Sequence, residues 1–318
     1  LSIFELLNYG CLLLSWLSLI AIISLFIIIR IKKTAQTAAL TQPSDSKRMS
    51  PDTTERLLLI STAMIVVIIG LIAFLSPPNN WDSMTYHMSR VMHWIQNRDV
   101  GFYPTSILRQ LHQNPFAEFA ILHFQILSGG EFFANSVQWV SMIGCLIGSS
   151  LIAKEFGLTL YGQIFSSLFC LTLPMGILQA SSTQNDYVTA FHIICFILFG
   201  MKTFLRESDD HLLLYAAAGS LGLAILTKAT AYLYVFPFLC WFVFKGIIRS
   251  PRNVIKPALV IVIIVLIANI GHYWRNNTLY GFPLGPMQES HEYKYLNETI
   301  SLEGLVSNSL KNLALHAG

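Results

Sequence analysis

Charged side chains are scarce in this chain: Asp, Glu, Lys and Arg make up only 12% of its 318 residues, whereas 54% are hydrophobic. A water-soluble domain carries a larger charged fraction on its surface, and the mean hydropathy of +0.57 lies well above the range of such domains. The formal net charge of +3 is too small to indicate a nucleic-acid-binding protein. The composition therefore predicts a polytopic membrane protein.

The chain also lacks paired cysteines. Its five cysteines all lie in apolar stretches, with no C-x-x-C pair and no cluster of histidines beside them. This pattern indicates neither a disulfide framework nor a zinc site. We interpret the cysteines as small core residues: Cys11, Cys145, Cys170, Cys195 and Cys240.

Long apolar runs recur along the chain, and a helix needs about 20 mostly apolar residues to cross the hydrocarbon core. The pattern predicts an all-α transmembrane bundle, with a short re-entrant or tilted segment at Phe116–Leu127 and a flexible polar linker at Thr34–Thr53. The first run is too long for a signal peptide and is expected to be retained. The predicted spans are Leu12–Ile31, Leu57–Leu75, Phe133–Ala153, Leu160–Leu178, Tyr187–Leu205, Leu212–Leu226, Ala231–Phe244 and Ala258–His272.

Basic residues are concentrated in alternate connections between these spans. The connections Arg30–Arg56, Lys154–Thr159, Lys202–His211 and Lys245–Lys256 hold 6, 1, 2 and 4 Lys and Arg, or 13 of the chain's 20. By the positive-inside rule, these connections are predicted to be cytoplasmic. The other set, which holds most of the unusual polar residues, faces the periplasm or lumen. It comprises Ser76–Phe132 (the first outer loop), Gln179–Asp186, the turn at Lys228 and Tyr273–Gly318.

The first outer loop contains the polar, aromatic segment Trp81–His87, in which Asp82 is the acidic residue. Apolar residues recur at helical spacing over Met84–Ile95, while Asp82, Tyr86 and Arg90 fall on the other side. This spacing predicts an amphipathic helix at the membrane surface. A carboxylate at the mouth of a membrane bundle is a candidate catalytic base, but Asp is also a common helix N-cap. The segment alone leaves both interpretations open.

Three more charged residues lie at the same predicted membrane boundary. Asp186 is costly there unless it is hydrated, paired or used, and the capping of the next helix could be left to Thr183 or Asn185. Lys228 ends a long apolar run, and Arg275 follows a tryptophan. Each cation is either an anchor to lipid headgroups or a ligand for a phosphate.

These segments together resemble the GT-C membrane glycosyltransferases, in particular the branch of protein O-mannosyltransferases and lipid A aminoarabinose transferases (glycosyltransferase families 39 and 83). The resemblance covers the chain from Leu57 to the C-terminus. It implies an extra transmembrane helix and cytoplasmic linker over 1–56, and a GT-C-like domain over 57–318 that is truncated at its C-terminus. The stretches that carry it are Trp81–His87, Gln184–Tyr187, Gly222–Lys228, and Trp274–Asn276 together with Tyr280–Pro286.

The resemblance implies transfer of a sugar from a polyprenyl-phosphate donor to a glycan, lipid or protein acceptor, with inversion, on the periplasmic side of a bacterial inner membrane. Asp82 would be the general base, and Lys228 and Arg275 would bind the phosphate and stabilise its growing charge. The residues expected to position the acceptor or donor are Tyr86, His87, Arg90, Asp186 and Glu118.

The sequence departs from many members of this branch because Ser83 and Met84 follow Asp82, which leaves a D-x-D metal site unsupported. The chemistry requires no cofactor, so a divalent metal stays open but unsupported. A lipid-linked sugar transporter or flippase is the alternative function. It predicts ionisable groups throughout the membrane depth and broken helices in two corresponding halves.

Overall fold

The computed structural model describes residues 1–38, 50–205, 210–249, 252–286 and 301–317. Within these ranges the chain is helical and contains no β-strand. A π-helical turn at Ser83–His87 leads into α3, and a second at Met201–Leu205 continues α9. The helices are α1 (Tyr9–Ala38), α2 (Thr53–Leu75), α3 (Met88–Asn97), α4 (Arg109–His112), α5 (Phe116–Ser128), α6 (Ser136–Glu155), α7 (Leu160–Leu171), α8 (Pro174–Ala180), α9 (Asp186–Gly200), α10 (His211–Thr227), α11 (Ala231–Arg249), α12 (Arg252–Tyr280) and α13 (Leu302–Ala317).

Six helical segments in the described ranges are long and apolar enough to cross a membrane, and they contain α1, α2, α6, α9, α11 and α12. Each coincides with a predicted span. Helix α10 is equally apolar but has only 17 residues, so it is shorter than a full crossing. It packs against α9 and α12 in the middle of the bundle.

The predicted span Leu160–Leu178 is broken rather than straight. Helices α7 and α8 meet at an angle of 73°. Pro174 is the first residue of α8, and Leu173 before it has extended dihedral angles (φ −64°, ψ 117°). Proline has no amide donor, and its ring disfavours the helical region for the preceding residue. The apolar pattern runs through this break without marking it.

Helix α1 extends beyond its predicted span to Ala38. The predicted linker Thr34–Thr53 therefore begins as helix, and its residues 39–49 lie outside the described residues. Helix α2 begins with a capping box: the Asp52 side chain accepts a hydrogen bond from the Glu55 amide at 2.7 Å, and the Glu55 carboxylate accepts one from the Asp52 amide at 2.9 Å. The division into 1–56 and 57–318 stays a prediction.

Small residues bring α6 and α9 close together. Gly144 and Gly148 lie one turn apart on α6, and a Cβ at either position would overlap Phe191 or Ile194 of α9. In lipid, apolar burial does not drive helices together, so close packing at small residues contributes much of their association. This contact places the start of α9 beside the start of α6.

Ion pairs distinguish the two ends of the bundle. At one end Arg30 pairs with Asp210 at 2.9 Å and Lys202 with Glu155 at 3.8 Å, and all four residues belong to connections predicted to be cytoplasmic. At the opposite end, which we call the site end, the first outer loop contacts the segment before α9 and the ends of α10 and α12. For the described residues, these contacts therefore follow the two predicted sets of loops, while the compartment that each set faces stays a prediction.

Candidate active site

Asp82 lies where the first outer loop turns into helix. The Asn80 side chain caps this helix, since its Oδ1 accepts a hydrogen bond from the Ser83 amide at 2.7 Å. Asp82 itself has helical dihedral angles and makes no capping bond. The N-cap interpretation of Asp82 is therefore wrong, and its carboxylate is left for another role. The turn that follows is π-helical, a rare conformation that is frequent at functional sites.

The helix of the first outer loop has two faces, as the pattern predicts, but they divide differently. Arg90, Val91 and Trp94 are fully buried, and Val91 and Trp94 belong to a core cluster shared with α5. Met84 and Met92 point outward and are exposed. The reason is that α5 packs against the side of α3 that contains Val91, which the apolar pattern assigned to the lipid boundary.

The Asp82 carboxylate faces Arg109, which comes from a distant part of the same loop. The distance from Oδ1 to Nη1 is 3.6 Å, and the two side chains are 37% and 40% exposed. The Arg109 guanidinium also lies 5.5 Å from the centre of the Tyr86 ring. Burial raises the pKa of the Tyr86 hydroxyl, and the charges of Glu118, Asp82 and Asp186 raise it further. Tyr86 is therefore within electrostatic reach of both carboxylates that the sequence places in separate outer loops.

His87, Arg90 and Glu118 form what we call the buried cluster. Glu118 Oε1 lies 2.7 Å from His87 Nδ1 and 3.4 Å from Arg90 Nη1, and the three side chains are 0–1% exposed. Burial alone would raise the pKa of the Glu118 carboxyl, but Arg90 and His87 outweigh it and hold the pKa below its ordinary value of 4.5. Charges at this depth require such partners.

Arg90 also holds the backbone that carries Arg109. Its guanidinium donates hydrogen bonds to the carbonyl oxygens of Gln110 at 2.6 Å, Arg109 at 2.9 Å and Gln113 at 3.0 Å. The five donors of an arginine in a fixed fork suit this multiple contact. Arg90 therefore binds the backbone of the first outer loop, while its role in positioning the acceptor or donor stays a prediction.

The segment after Arg109 docks on α10 and α12. Asn114 Nδ2 donates to the Ile225 carbonyl at 2.7 Å, and Asn276 Nδ2 donates to the His112 carbonyl at 3.3 Å. Gly285 has a φ of +110°, and a Cβ there would lie 3.2 Å from His112, so both backbone conformation and space call for glycine. The C-terminal stretches that carry the family resemblance thus pack against the first outer loop.

Asp186 and Lys228 form a second half-exposed ion pair. Lys228 Nζ lies 2.6 Å from Asp186 Oδ1, with side-chain exposures of 32% and 39%. Asp186 is the first residue of α9, and Lys228 directly follows α10. The preceding Asn185 donates from Nδ2 to the Thr227 carbonyl at 3.2 Å and so ties the two helix ends together. Lys228, predicted to bind a phosphate, therefore lies at the end of α10, which is tied to the start of α9.

The start of α9 is not capped by the residues that the sequence suggested. The Thr183 hydroxyl donates to Ser83 Oγ at 2.6 Å, which links this segment to the first outer loop. The amide of Val188 donates instead to Gln138 Oε1 of α6 at 3.1 Å. Tertiary contacts supply the partners that a local cap would otherwise provide.

An apolar groove between α9 and α11 ends at the Asp186–Lys228 pair. Its volume is about 360 Å³, and its walls include Thr189, Ile193, Tyr234 and Phe238. A larger apolar cleft of about 420 Å³ lies on the other flank of α11, against α12. The site end therefore has a charged pair at the end of an apolar groove.

Arg275 contacts a different part of the site end. Its guanidinium lies 4.8 Å from the centre of the Phe102 ring in the first outer loop. The two cations predicted to bind phosphate thus have different partners in the structure: Phe102 for Arg275, and Asp186 for Lys228.

All the residues singled out in the sequence lie at the site end, and their chemical roles stay predictions. Sequence reasoning missed Arg109, because nothing in its local sequence distinguishes it from other loop arginines. In the described part of the chain, no group of three or more His, Cys, Asp or Glu side chains is arranged to hold a metal ion. The half-buried members are Asp82, Tyr86, Asp186, Lys228 and Arg275, and the buried ones are His87, Arg90 and Glu118.

The fold is similar to that of a solved structure. This is ArnT from Cupriavidus metallidurans bound to undecaprenyl phosphate, with a TM-score of 0.58 and 16% sequence identity over 80% of this chain and 48% of ArnT. The chain thus spans about half the length of that protein. No protein-family model matches the sequence, and no curated protein matches it. Together with the apolar helices, the similarity shows an integral membrane protein whose helical bundle has the GT-C fold predicted from the sequence.

Proposed function

We propose that this chain is a membrane glycosyltransferase that moves a sugar from a polyprenyl-phosphate donor to an acceptor hydroxyl on the periplasmic side of a bacterial inner membrane. The observation that carries this proposal is the placement of Asp82, which does not cap its helix, at the same end of a GT-C bundle as a lysine at the end of an apolar groove. ArnT, which shares the fold, was solved with undecaprenyl phosphate bound.

The groove between α9 and α11 suits a polyprenyl phosphate. Such a lipid has a long apolar tail and an anionic head, and the groove offers apolar walls with Lys228 at one end. A lysine at the membrane boundary reaches toward the headgroup region, where it can meet an anion. Lys228 is held by Asp186 in the structure, so a phosphate bound there shares or replaces that partner. Arg275 supplies a second cation whose planar fork matches phosphate oxygens.

Asp82 acts as the general base in this scheme. The acceptor oxygen attacks the anomeric carbon from the face opposite the phosphate, and its proton passes to the Asp82 carboxylate. The bond between the anomeric carbon and the phosphate oxygen breaks, and its electron pair stays on the phosphate. One C–O bond forms and one breaks with inversion, and the products are a glycoside and polyprenyl phosphate. Lys228 and Arg275 stabilise the charge that grows on the phosphate, and no cofactor is required.

The remaining predicted residues support this arrangement. Tyr86 and Asp82 both lie beside the Arg109 guanidinium, while the buried cluster of His87, Arg90 and Glu118 holds the first outer loop in shape. We assign the buried cluster to positioning through the loop, since its side chains have no exposed surface with which to touch an acceptor.

The test is a transfer assay with the purified full chain in lipid nanodiscs. Undecaprenyl-phosphate-linked hexoses and pentoses are offered with candidate acceptors, and released undecaprenyl phosphate is quantified by mass spectrometry. Asp82→Asn should lower turnover roughly 100- to 10,000-fold, the usual contribution of a positioned general base. Glu131→Gln, which removes an exposed acid from the same loop, is the matched control and should keep full turnover.

Full turnover by a normally folded Asp82→Asn protein would remove Asp82 as the base. Movement of the intact lipid-linked sugar across the membrane of proteoliposomes, without release of undecaprenyl phosphate, would favour the transporter alternative over a transferase.

A further inference from the structure

Arg109 lies beside Asp82 and has no role in the scheme above. We infer that Arg109 is a further phosphate-binding residue. When the donor binds, the Arg109 guanidinium moves from the Asp82 carboxylate to the donor phosphate, so donor binding frees the general base. This role rests on the proposed function and adds to it a third cation and an order of events.

The ion pair between Asp82 and Arg109 is suited to exchange. Its 3.6 Å separation exceeds the length of a direct hydrogen bond, and both side chains are more than a third exposed. Exposed ion pairs contribute little to stability because water solvates each charge almost as well as the partner does. Arg109 can therefore move from one anion to another at little cost to the fold.

The backbone of Arg109 is fixed, whereas its guanidinium is lightly held. Arg90 donates to the carbonyl oxygens of Arg109 and Gln110 from within the protein. The described contacts of the Arg109 guanidinium are with the Asp82 carboxylate and the Tyr86 ring, both on the neighbouring helix of the same loop. A rigid base with a long side chain can swing between nearby anions, and the planar fork of arginine fits two phosphate oxygens at once.

Moving Arg109 favours transfer in two ways. While it pairs with Asp82, an approaching hydroxyl meets a carboxylate that already has a cation beside it. Once Arg109 binds the phosphate, the carboxylate is free to accept the acceptor proton, and a further positive charge faces the leaving group. Donor binding and base release then become one event.

The experiment measures the binding of undecaprenyl phosphate to the full chain in phosphatidylcholine nanodiscs by native mass spectrometry. The proteins are wild type, Arg109→Gln, Asp82→Asn and the double variant. Arg109→Gln should weaken binding roughly 10-fold or more, as expected for loss of a hydrogen bond between charged groups. Asp82→Asn releases Arg109 and should tighten binding about 2- to 5-fold. In the Arg109→Gln background that gain should shrink or vanish, because the two residues share one partner.

Arg98→Gln is the matched control. It removes an exposed arginine at the other end of α3, about 24 Å from Asp82 along the helix at 1.5 Å per residue, and should leave binding unchanged. Arg109→Gln keeps the carbonyl that Arg90 binds and alters a half-exposed side chain, so it is expected to fold, with thermal unfolding as the check. Arg109→Lys keeps the charge without the fork and should bind with intermediate affinity.

Two results would overturn the role of Arg109 alone. The first is that Arg109→Gln binds undecaprenyl phosphate as well as Arg98→Gln does. The second is that Asp82→Asn tightens binding equally with and without Arg109, because charge repulsion between Asp82 and the phosphate would then explain the gain. Failure of the wild type to bind undecaprenyl phosphate would instead remove the proposed function, and the role of Arg109 with it.

Discussion

Two kinds of ion pair lie near one another at the site end. In the buried cluster, Glu118 is held by His87 and Arg90, and the three side chains are 0–1% exposed. In the pairs Asp82–Arg109 and Asp186–Lys228, every side chain is between 32% and 40% exposed. A fully buried charge cannot lose its partner without a large penalty, whereas a half-exposed one is supported by water. The same side-chain types therefore hold the loop in one place and stay available to a ligand in the other.

The largest expected effect on stability comes from removing Arg90 from the buried cluster. Arg90→Met leaves the Glu118 carboxylate buried with His87 alone and removes the hydrogen bonds to the carbonyl oxygens around Arg109. We expect a loss of about 3–5 kcal/mol in the free energy of unfolding, the usual cost of breaking a buried pair. Denaturation in mixed micelles measures this loss.

Removing both charges provides the control. Arg90→Met combined with Glu118→Leu leaves no unpaired charge and should recover part of the lost stability, though not the hydrogen bonds to the loop carbonyls. An Arg90→Met protein that unfolds like the wild type would show that the cluster does not hold the loop.

His112 offers a smaller, pH-dependent way to test the same loop. Burial lowers its pKa to about 4 from an ordinary 6.5, and the nearby Arg90 and Arg109 lower it too, against the opposing effect of its hydrogen bond to the Leu108 carbonyl. Because the folded-state pKa is below the unfolded one, neutral His112 stabilises the fold fully above about pH 6.5 and loses that contribution as the pH falls toward 4.

His112→Asn isolates this effect. Asn keeps a donor for the Leu108 carbonyl but does not titrate, so between pH 7 and pH 4 the wild type should lose up to roughly 3 kcal/mol more stability than the variant. Unfolding curves of the two proteins across this range make the comparison. Parallel curves would mean that docking of the loop does not bury the His112 side chain enough to lower its pKa.

The helical bundle was largely predictable from the sequence because its main determinant is local. A span needs about 20 mostly apolar residues, and the segments that contain α2, α9 and α12 show that property directly in the chain. The alternation of basic residues likewise separated the loops into the two sets that the structure places at opposite ends. What local pattern could not supply was the break at Pro174, where one residue overrides a continuous apolar run.

Much of the site depended on contacts between distant residues. Both Asn80 and Asp82 are good capping residues, and only the fold shows that Asn80 makes the bond. The sequence offers Glu118 as a residue that positions the acceptor or donor, and only the fold shows that packing against α3 buries its side chain completely. Arg109 meets Asp82 because Arg90 folds the loop back, an arrangement with no counterpart in sequence spacing.

The smallest expected effect on stability comes from breaking the Asp186–Lys228 pair. Substituting the acid and substituting the base should have different effects on ligand binding. Asp186→Asn and Lys228→Met both remove a half-exposed pair, and each should cost about 1 kcal/mol or less in unfolding free energy. Their effects on binding of undecaprenyl phosphate should have opposite signs. Asp186→Asn frees Lys228 and should tighten binding a few-fold, whereas Lys228→Met removes the cation and should weaken binding roughly 10-fold. Equally weakened binding of undecaprenyl phosphate by both variants would mean that this pair, like the buried cluster, serves only to hold the fold together. The half-exposed pairs would then not differ from the buried cluster in their availability to a ligand.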